Sequence, residues 1–290
     1  MPKNLIGELI EASPNRRSFL KTLGAATAGV TALSMTGLKS AEAATATEVE
    51  VLKFALNLEY LEAEFYTYAL YGKGITDYGI GIDGEASGSN PAEGGYTKGG
   101  AKVAFNDHFF PTEEIATQIG ADERAHVALI RSALGSQKIA KPNINLNALD
   151  LDLSAQADFL LQSRIFEDIG LSAYAGAAGL LSTPSIITTA ARILGAEAEH
   201  VSSVRTQIAY LKITTKQLDG ADIIPPPSGT SDHVLSVNIS NGLPAVRTPG
   251  QVLYLAFGNK ADANKGGFFP TGVNGSITTS TSRATSANLS

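Results

Sequence analysis

The 290-residue sequence predicts an all-α fold: an up-down four-helix bundle with a long connection between its first two helices and an irregular C-terminal extension. Three observations carry this expectation. Four segments between residues 46 and 212 repeat apolar residues at spacings of three and four, the period of a helix buried along one stripe. Two of them contain Glu123-Arg124-Ala125-His126 and Glu197-Ala198-Glu199-His200, in which a carboxylate and an imidazole three residues apart share a helical face. The other two each carry one Glu, Glu59 or Glu167, in the middle of an otherwise mainly apolar stripe.

Composition narrows the function classes. With 43% hydrophobic residues and a mean hydropathy of +0.05, the chain reads as soluble and able to bury a sizeable core. A formal net charge of -6 gives no basic footprint for nucleic acid or an anionic membrane. There is no cysteine, which excludes disulfides, thiolate metal sites and cysteine nucleophiles.

Residues 1–43 stand apart from the fold. Asn15-Arg16-Arg17-Ser18-Phe19-Leu20-Lys21 precedes a mildly apolar run from Leu23 to Met35, and Ala41-Glu42-Ala43 supplies a small-x-small cleavage signature. The run is short and rich in Ala, Gly and Thr, a poor bilayer span. The paired arginines before Phe-Leu-Lys resemble a twin-arginine export signal, which implies a periplasmic or extracellular protein with no stable membrane span after cleavage. An uncleaved anchor or an ordinary amphipathic helix are the alternatives. Removing five basic and three acidic residues with this segment leaves 17 against 25, a net charge of -8. Both methionines, Met1 and Met35, leave with it, so the remainder holds no oxidisable sulfur.

The first helix is expected from about Thr47 to Tyr71, with Leu52, Leu56, Glu59, Ala63, Tyr66 and Leu70 along its inward stripe. At 100° per residue Glu62 falls on the flank and Glu64 faces solvent. A carboxylate in a buried stripe is costly unless protonated, paired or metal-bound, and Arg124 or Arg164 could serve as its partner. Residues 72–100 hold ten glycines in 29 positions and read as a long connection without regular structure. His108 beyond it is expected to be a packed or surface side chain. Thr112 reads as the N-cap of a second helix, with Glu113 and Glu114 in its first turn and a stop at Gly135. Its stripe is Ile119, Glu123, His126, Ile130 and Leu134.

A third pattern runs from Ser154 to Leu181 with Leu160, Arg164, Glu167, Leu171, Tyr174 and Ala178 on one face. Thr183-Pro184 opens a fourth, with Ile193, Glu197, His200, Val204 and Ile208 inward, ending near Leu211. Residues 213–290 pass through Pro225-Pro226-Pro227, hold one short helical pattern at Pro249 to Phe257, and end in a Ser/Thr-rich tail from Ser276 expected to be disordered. His233 reads as a solvated loop residue.

The four helices form two copies of one plan, a helix with a central Glu followed by a helix with Glu-x-x-His. Tyr66 follows Glu59 by seven residues, as Tyr174 follows Glu167. Alternating up-down-up-down order would bring four carboxylates and two imidazoles to one place, where two divalent metals would neutralise them. This pattern resembles the ferritin-like di-iron and di-manganese carboxylate proteins. The opening segment from Phe54 to Phe65 resembles, more narrowly, those grouped with the plant desiccation-related proteins.

The resemblance covers residues 46–212 and implies a site of Glu59, Glu123, His126, Glu167, Glu197 and His200 holding two iron ions, or manganese. Oxygen or peroxide would be the small-molecule partner. Tyr66 and Tyr174 would be hydrogen-bond donors or radical sinks beside the metals, or else packed core tyrosines. The long first connection weakens the expectation of a 24-subunit storage shell, although a smaller homo-oligomer remains compatible, and the chain has no Cys-x-x-Cys electron-supply module. Three activities remain open: an oxygen- or peroxide-linked metal oxidoreductase of stress protection, a manganese catalase, and a non-catalytic stress or desiccation protein.

Overall fold

The computed structural model describes residues 46–106, 109–229 and 233–286. The segment read as an export signal and His108 lie outside the described residues. Among the described residues five α-helices follow one another: α1 (Ala46–Tyr71), α2 (Thr112–Leu134), α3 (Gln156–Ala177), α4 (Pro184–Tyr210) and α5 (Pro249–Ala256). The only regular strands among the described residues are β1 (Thr97–Lys98) and β2 (Ile144–Asn145), paired in parallel with Thr97 opposite Ile144. None of the described helices is long and apolar enough to cross a membrane.

The four-helix class is as predicted, but the order of directions is not. At the start of α3, Gln156 Nε2 donates to Thr112 Oγ1 at the start of α2 at 3.4 Å. Just past the end of α3, the Ser182 and Thr183 N–H groups donate to Glu48 Oε1 near the start of α1, at 2.7 and 2.6 Å. The ring of Phe110, before α2, meets Tyr210, the last residue of α4. The helices therefore run up, down, down and up, with α1 against α2 and α3 against α4 as the close antiparallel pairs. The cause is the connection 138–155. At roughly 3.3 Å per extended residue it can climb the whole length of a bundle whose helices rise only about 1.5 Å per residue.

The connection before α2 makes the matching excursion. It descends beside α1, pairs at Glu85 with Ile139, then returns through β1 and a bridge at Ala104 with Ala155. These two connections and the C-terminal segment wrap the outer side of α1, so this helix is buried almost all round instead of along one stripe. Glu64, expected to face solvent, is 3% exposed, pairs with Lys141 of the second connection at 3.3 Å and accepts the Ile75 N–H. Asn57 on α1 exchanges two hydrogen bonds with the backbone of Asn274, at 2.8 and 2.9 Å. Asn274 in turn reaches Ala140 O through Nδ2 and accepts from the Ser87 N–H. One asparagine thus joins α1, both connections and the C-terminal extension.

Two local expectations need correcting. Thr112 is the first helical residue of α2 and not its cap, the N-cap being Pro111. The Ser/Thr-rich tail expected to be disordered is ordered through residue 286: Ser280 and Ala284 are buried, Thr281 N–H donates to Gly250 O, and Gly220 N–H donates to Ala284 O. Small side chains let this strand-like tail lie close against the body, where its backbone groups find partners. The short pattern at Pro249 does become α5, opened by a reciprocal Thr248–Gln251 capping box.

The extension is fastened to the bundle by buried arginines. Arg164 of α3 pairs with Asp168 and Asp222, and Arg205 of α4 donates to Asp168 at 2.8 Å. Arg247 grips Asp219 through Nε and Nη2 at 2.8 and 2.7 Å and donates to Ser172 Oγ at 2.8 Å. The chain can pass this close to α3 because Gly176 has no side chain; a Cβ there would stand 2.1 Å from Arg247 O. Arg247→Ala strands the buried Asp219 carboxylate and should cost about 3–5 kcal/mol in urea unfolding, whereas Arg247→Met with Asp219→Leu should recover much of that loss.

Candidate metal centre

Each bundle helix delivers its polar residues to the same level. Glu59, Glu123, Glu167 and Glu197 are 0% exposed, and His126 and His200 are 8% and 5% exposed. His126 Nδ1 lies 3.2 Å from Glu59 Oε2 and 3.4 Å from Glu123 Oε2. His200 Nδ1 lies 3.0 Å from Glu123 Oε1 and 3.3 Å from Glu167 Oε2. The two imidazole rings face each other at 6.2 Å with a 30° tilt. Glu123 therefore touches both histidines with different oxygens, while Glu59 and Glu167 each attend one.

The decisive feature is what these atoms lack. Apart from those imidazole–carboxylate approaches, Glu59 Oε2, both oxygens of Glu123 and Glu197, Glu167 Oε2 and both histidine Nδ1 atoms are fully buried without a well-formed hydrogen bond. Buried polar atoms are nearly always satisfied, so a cluster of orphans facing one another is the signature of a group that binds between them. One set of donors within 4.8 Å of each other is Glu59, Glu123, His126 and Glu197; a second is Glu123, Glu167 and His200, with Glu123 common to both. Carboxylate oxygen with two imidazole nitrogens and no sulfur suits iron or manganese. The residues present fit a metal site.

The remaining oxygens are held from the opposite copy of the plan. Tyr66 of α1 donates its phenol to Glu167 Oε1 on α3, and Tyr174 of α3 donates to Glu59 Oε1 on α1. Arg124 and Arg164, the alternative partners for a buried Glu59, are engaged elsewhere: Arg124 reaches Thr67 and covers the Tyr71 and Tyr78 rings, and Arg164 serves the aspartates.

Two residues escaped the sequence reading. Glu62, placed on the flank by helical geometry, is 4% exposed, and Glu62 Oε1 and Glu197 Oε2 lie 3.1 and 2.5 Å from where a Cβ on Gly170 would stand. Its signal was the Glu59-x-x-Glu62 spacing, the same i,i+3 relation as in the Glu-x-x-His pairs. Asp122 lies 3.6 Å from His200 Nε2, where it can orient the ring from behind. No equivalent backs His126 by symmetry, since the matching position beside Glu197 is Ala196. His233 sits half-buried in a loop.

Electrostatics records the crowding. Burial lifts the Glu59 carboxyl to about 7 against the pull of His126. Burial, then neighbouring carboxylates, push Glu62 and Glu197 well above the ordinary range, and Glu167 is raised chiefly by burial. Glu123 is held below its ordinary value: burial opposes this, but both imidazoles face it. Burial disfavours a charged imidazole, yet Glu59 and Glu123 push His126 up to about 12; His200 is raised likewise by Glu167, Asp122 and Glu123.

Comparison with known proteins agrees with the fold. The family described as the ferritin-like domain matches residues 47–210, more than half of the chain, and the chain belongs to that family. Among individual relatives it is similar to the ferritin-like catalase Nec2 of Nesocodon mauritianus, 23% identical over 279 residues that cover 79% of this chain and 84% of that protein. It is also similar to the desiccation-related protein PCC13-62 of Craterostigma plantagineum, 26% identical over 186 residues covering 58% of this chain and 55% of the relative.

The titrations predict an unusual pH response. Between the ordinary 4.5 and about 7, folded Glu59 keeps a proton that the unfolded chain releases, so metal-free stability falls as pH rises across that window. The slope reaches about 1.4 kcal/mol per pH unit for each such carboxyl. Raised His126 adds stability fully present below 6.5 and lost as pH climbs towards 12, whereas depressed Glu123 acts oppositely and only below 4.5. Metal displaces these protons, so the loaded protein should instead gain stability with pH. Urea midpoints at pH 5, 6 and 7, with and without chelator, measure the difference.

Proposed function

We propose that the chain is an exported ferritin-like protein whose bundle holds a dinuclear metal centre, iron in the first place and manganese in the second, and that it reduces oxygen or peroxide in oxidative or desiccation stress. The observation that carries this is the set of buried, mutually facing carboxylate and imidazole atoms without hydrogen bonds. The arginine pair and small-x-small signature of residues 1–43 support export.

In this reading Glu59 and His126 serve one metal, Glu167 and His200 the other, with Glu123 between them and Glu197 completing the shell on the Glu59 side. A metal pair held by these residues would supply two-electron redox chemistry. Glu123, already in contact with both imidazoles, keeps the two halves in register. Tyr66 and Tyr174 fix the orientation of Glu167 and Glu59 and place a phenolic O–H beside each half of the centre. Burial and the carboxylates keep both phenols protonated, so they can donate hydrogen bonds throughout. The surrounding apolar residues exclude bulk water and ions.

A second reading, manganese catalase, is favoured by the relative named a ferritin-like catalase. It differs in needing no external reductant. A non-catalytic role is the reading that the desiccation-related relative's name supports.

Elemental analysis of protein purified without chelator should find about two metals per chain, and Glu123→Ala with His126→Ala should reduce this severalfold. Fewer than about one metal per two chains in the parent protein would overturn the reading. Rapid oxygen release from peroxide without reductant would assign the catalase. A metal-loaded protein inert to ferrous ion, oxygen and peroxide would assign the structural role. Tyr66→Phe and Tyr174→Phe should each retain metal and slow oxidant consumption by about tenfold or more, since a hydrogen bond to a charged group is worth roughly 1.5–3 kcal/mol.

A further inference from the structure

The C-terminal extension does more than cover α1. Where α5 and the loop after it close over the junction of α1 and α3, they leave a small recess, with room for a guest little larger than a water molecule, walled by Leu58, Leu61, Phe166, Ile169, Ala256 and Phe268. Its shape is held firmly. Phe268 donates its N–H to Ala256 O at 2.9 Å and sets its ring edge-on against Phe166 with centroids 4.8 Å apart. Glu62 and Gly170 complete the lining. Because a Cβ on Gly170 would stand within 3.1 Å of Glu62 Oε1 and 2.5 Å of Glu197 Oε2, the recess ends one side chain away from the candidate metal centre.

The walls select what can enter. Six apolar side chains offer no hydrogen bonds, so a strongly hydrated molecule loses its water contacts there without replacement. Apolar sites bind water poorly and take small uncharged guests such as xenon. The inner end, closed by the Glu62 and Glu197 carboxyls, offers an anion no cation to pair with. We propose that this recess is the docking site of a small, uncharged, weakly hydrated oxidant of dioxygen's class, which collects there before reaching the metals, and that hydrogen peroxide does not use it. The inference rests on the dinuclear reading above. It also gives the extension a functional part, since Ala256 and Phe268 belong to it.

Crystals of the metal-free protein under xenon pressure should show a xenon atom among Leu61, Phe166, Ile169 and Phe268. Ala256→Leu, remote from the proposed ligands, should abolish that site and slow ferrous oxidation by limiting dioxygen several-fold, with metal content and oxidation by peroxide unchanged. Ile169→Val, which widens the recess, should raise xenon occupancy. Absence of xenon from the recess, or dioxygen rates in Ala256→Leu equal to those of the parent, would overturn the proposal, as would equal slowing by peroxide. Metal analysis decides the dinuclear reading separately: a protein without the metal pair that still takes xenon would show that the centre, not the recess, had been misread.

Discussion

Negative charge buried in the middle of a helix bundle is the constraint around which this molecule is arranged. Five carboxyls, those of Glu59, Glu62, Glu123, Glu167 and Glu197, meet with only two imidazoles to balance them. In water-free surroundings such charges are tolerated only if protons or cations accompany them. The protein uses protons where it can, lifting four of the carboxyls above their ordinary range, and reserves Glu123 in ionised form between the two histidines. The phenols, the wrapping connections and the apolar shell all serve to keep this arrangement dry and fixed.

An internal repeat organises the centre, and its departures from symmetry are informative. Tyr66 and Tyr174 reach across to each other's carboxylates, so neither half of the site is built by one helix pair alone. The equivalence then breaks in two places. Asp122 backs His200 whereas Ala196 occupies the matching position, and Glu62 corresponds to Gly170, whose missing side chain makes room for that extra carboxyl. The two halves of the site therefore have unequal surroundings, one with a carboxylate behind its imidazole and the other without.

The sequence disclosed the four helices and the six convergent side chains because helical periodicity is local, and i,i+3 spacing decides which residues share a face. It did not disclose the parallel run of α2 and α3, since nothing in the periodicity of 138–155 says whether that connection turns back or climbs. The same blindness misplaced Glu62 and Glu64. A wheel drawn for one helix assumes a wet outer face, and α1 has none because segments remote in sequence cover it. The tail failed for a related reason: Ser280 and Ala284 look like filler until the groove they occupy exists. The export segment lies outside the described residues, so its reading stands on the sequence alone.

The contact between Asn57 and Asn274 spans 217 positions of the chain. Helix pairs such as α1 with α2 can form early because their contacts are comparatively near in sequence, whereas this staple closes a loop of about three quarters of the chain. During synthesis, α1 is among the first elements made and among the last to be fully enclosed. For that interval the outer side of α1, with Asn57 and Glu64, is open to solvent.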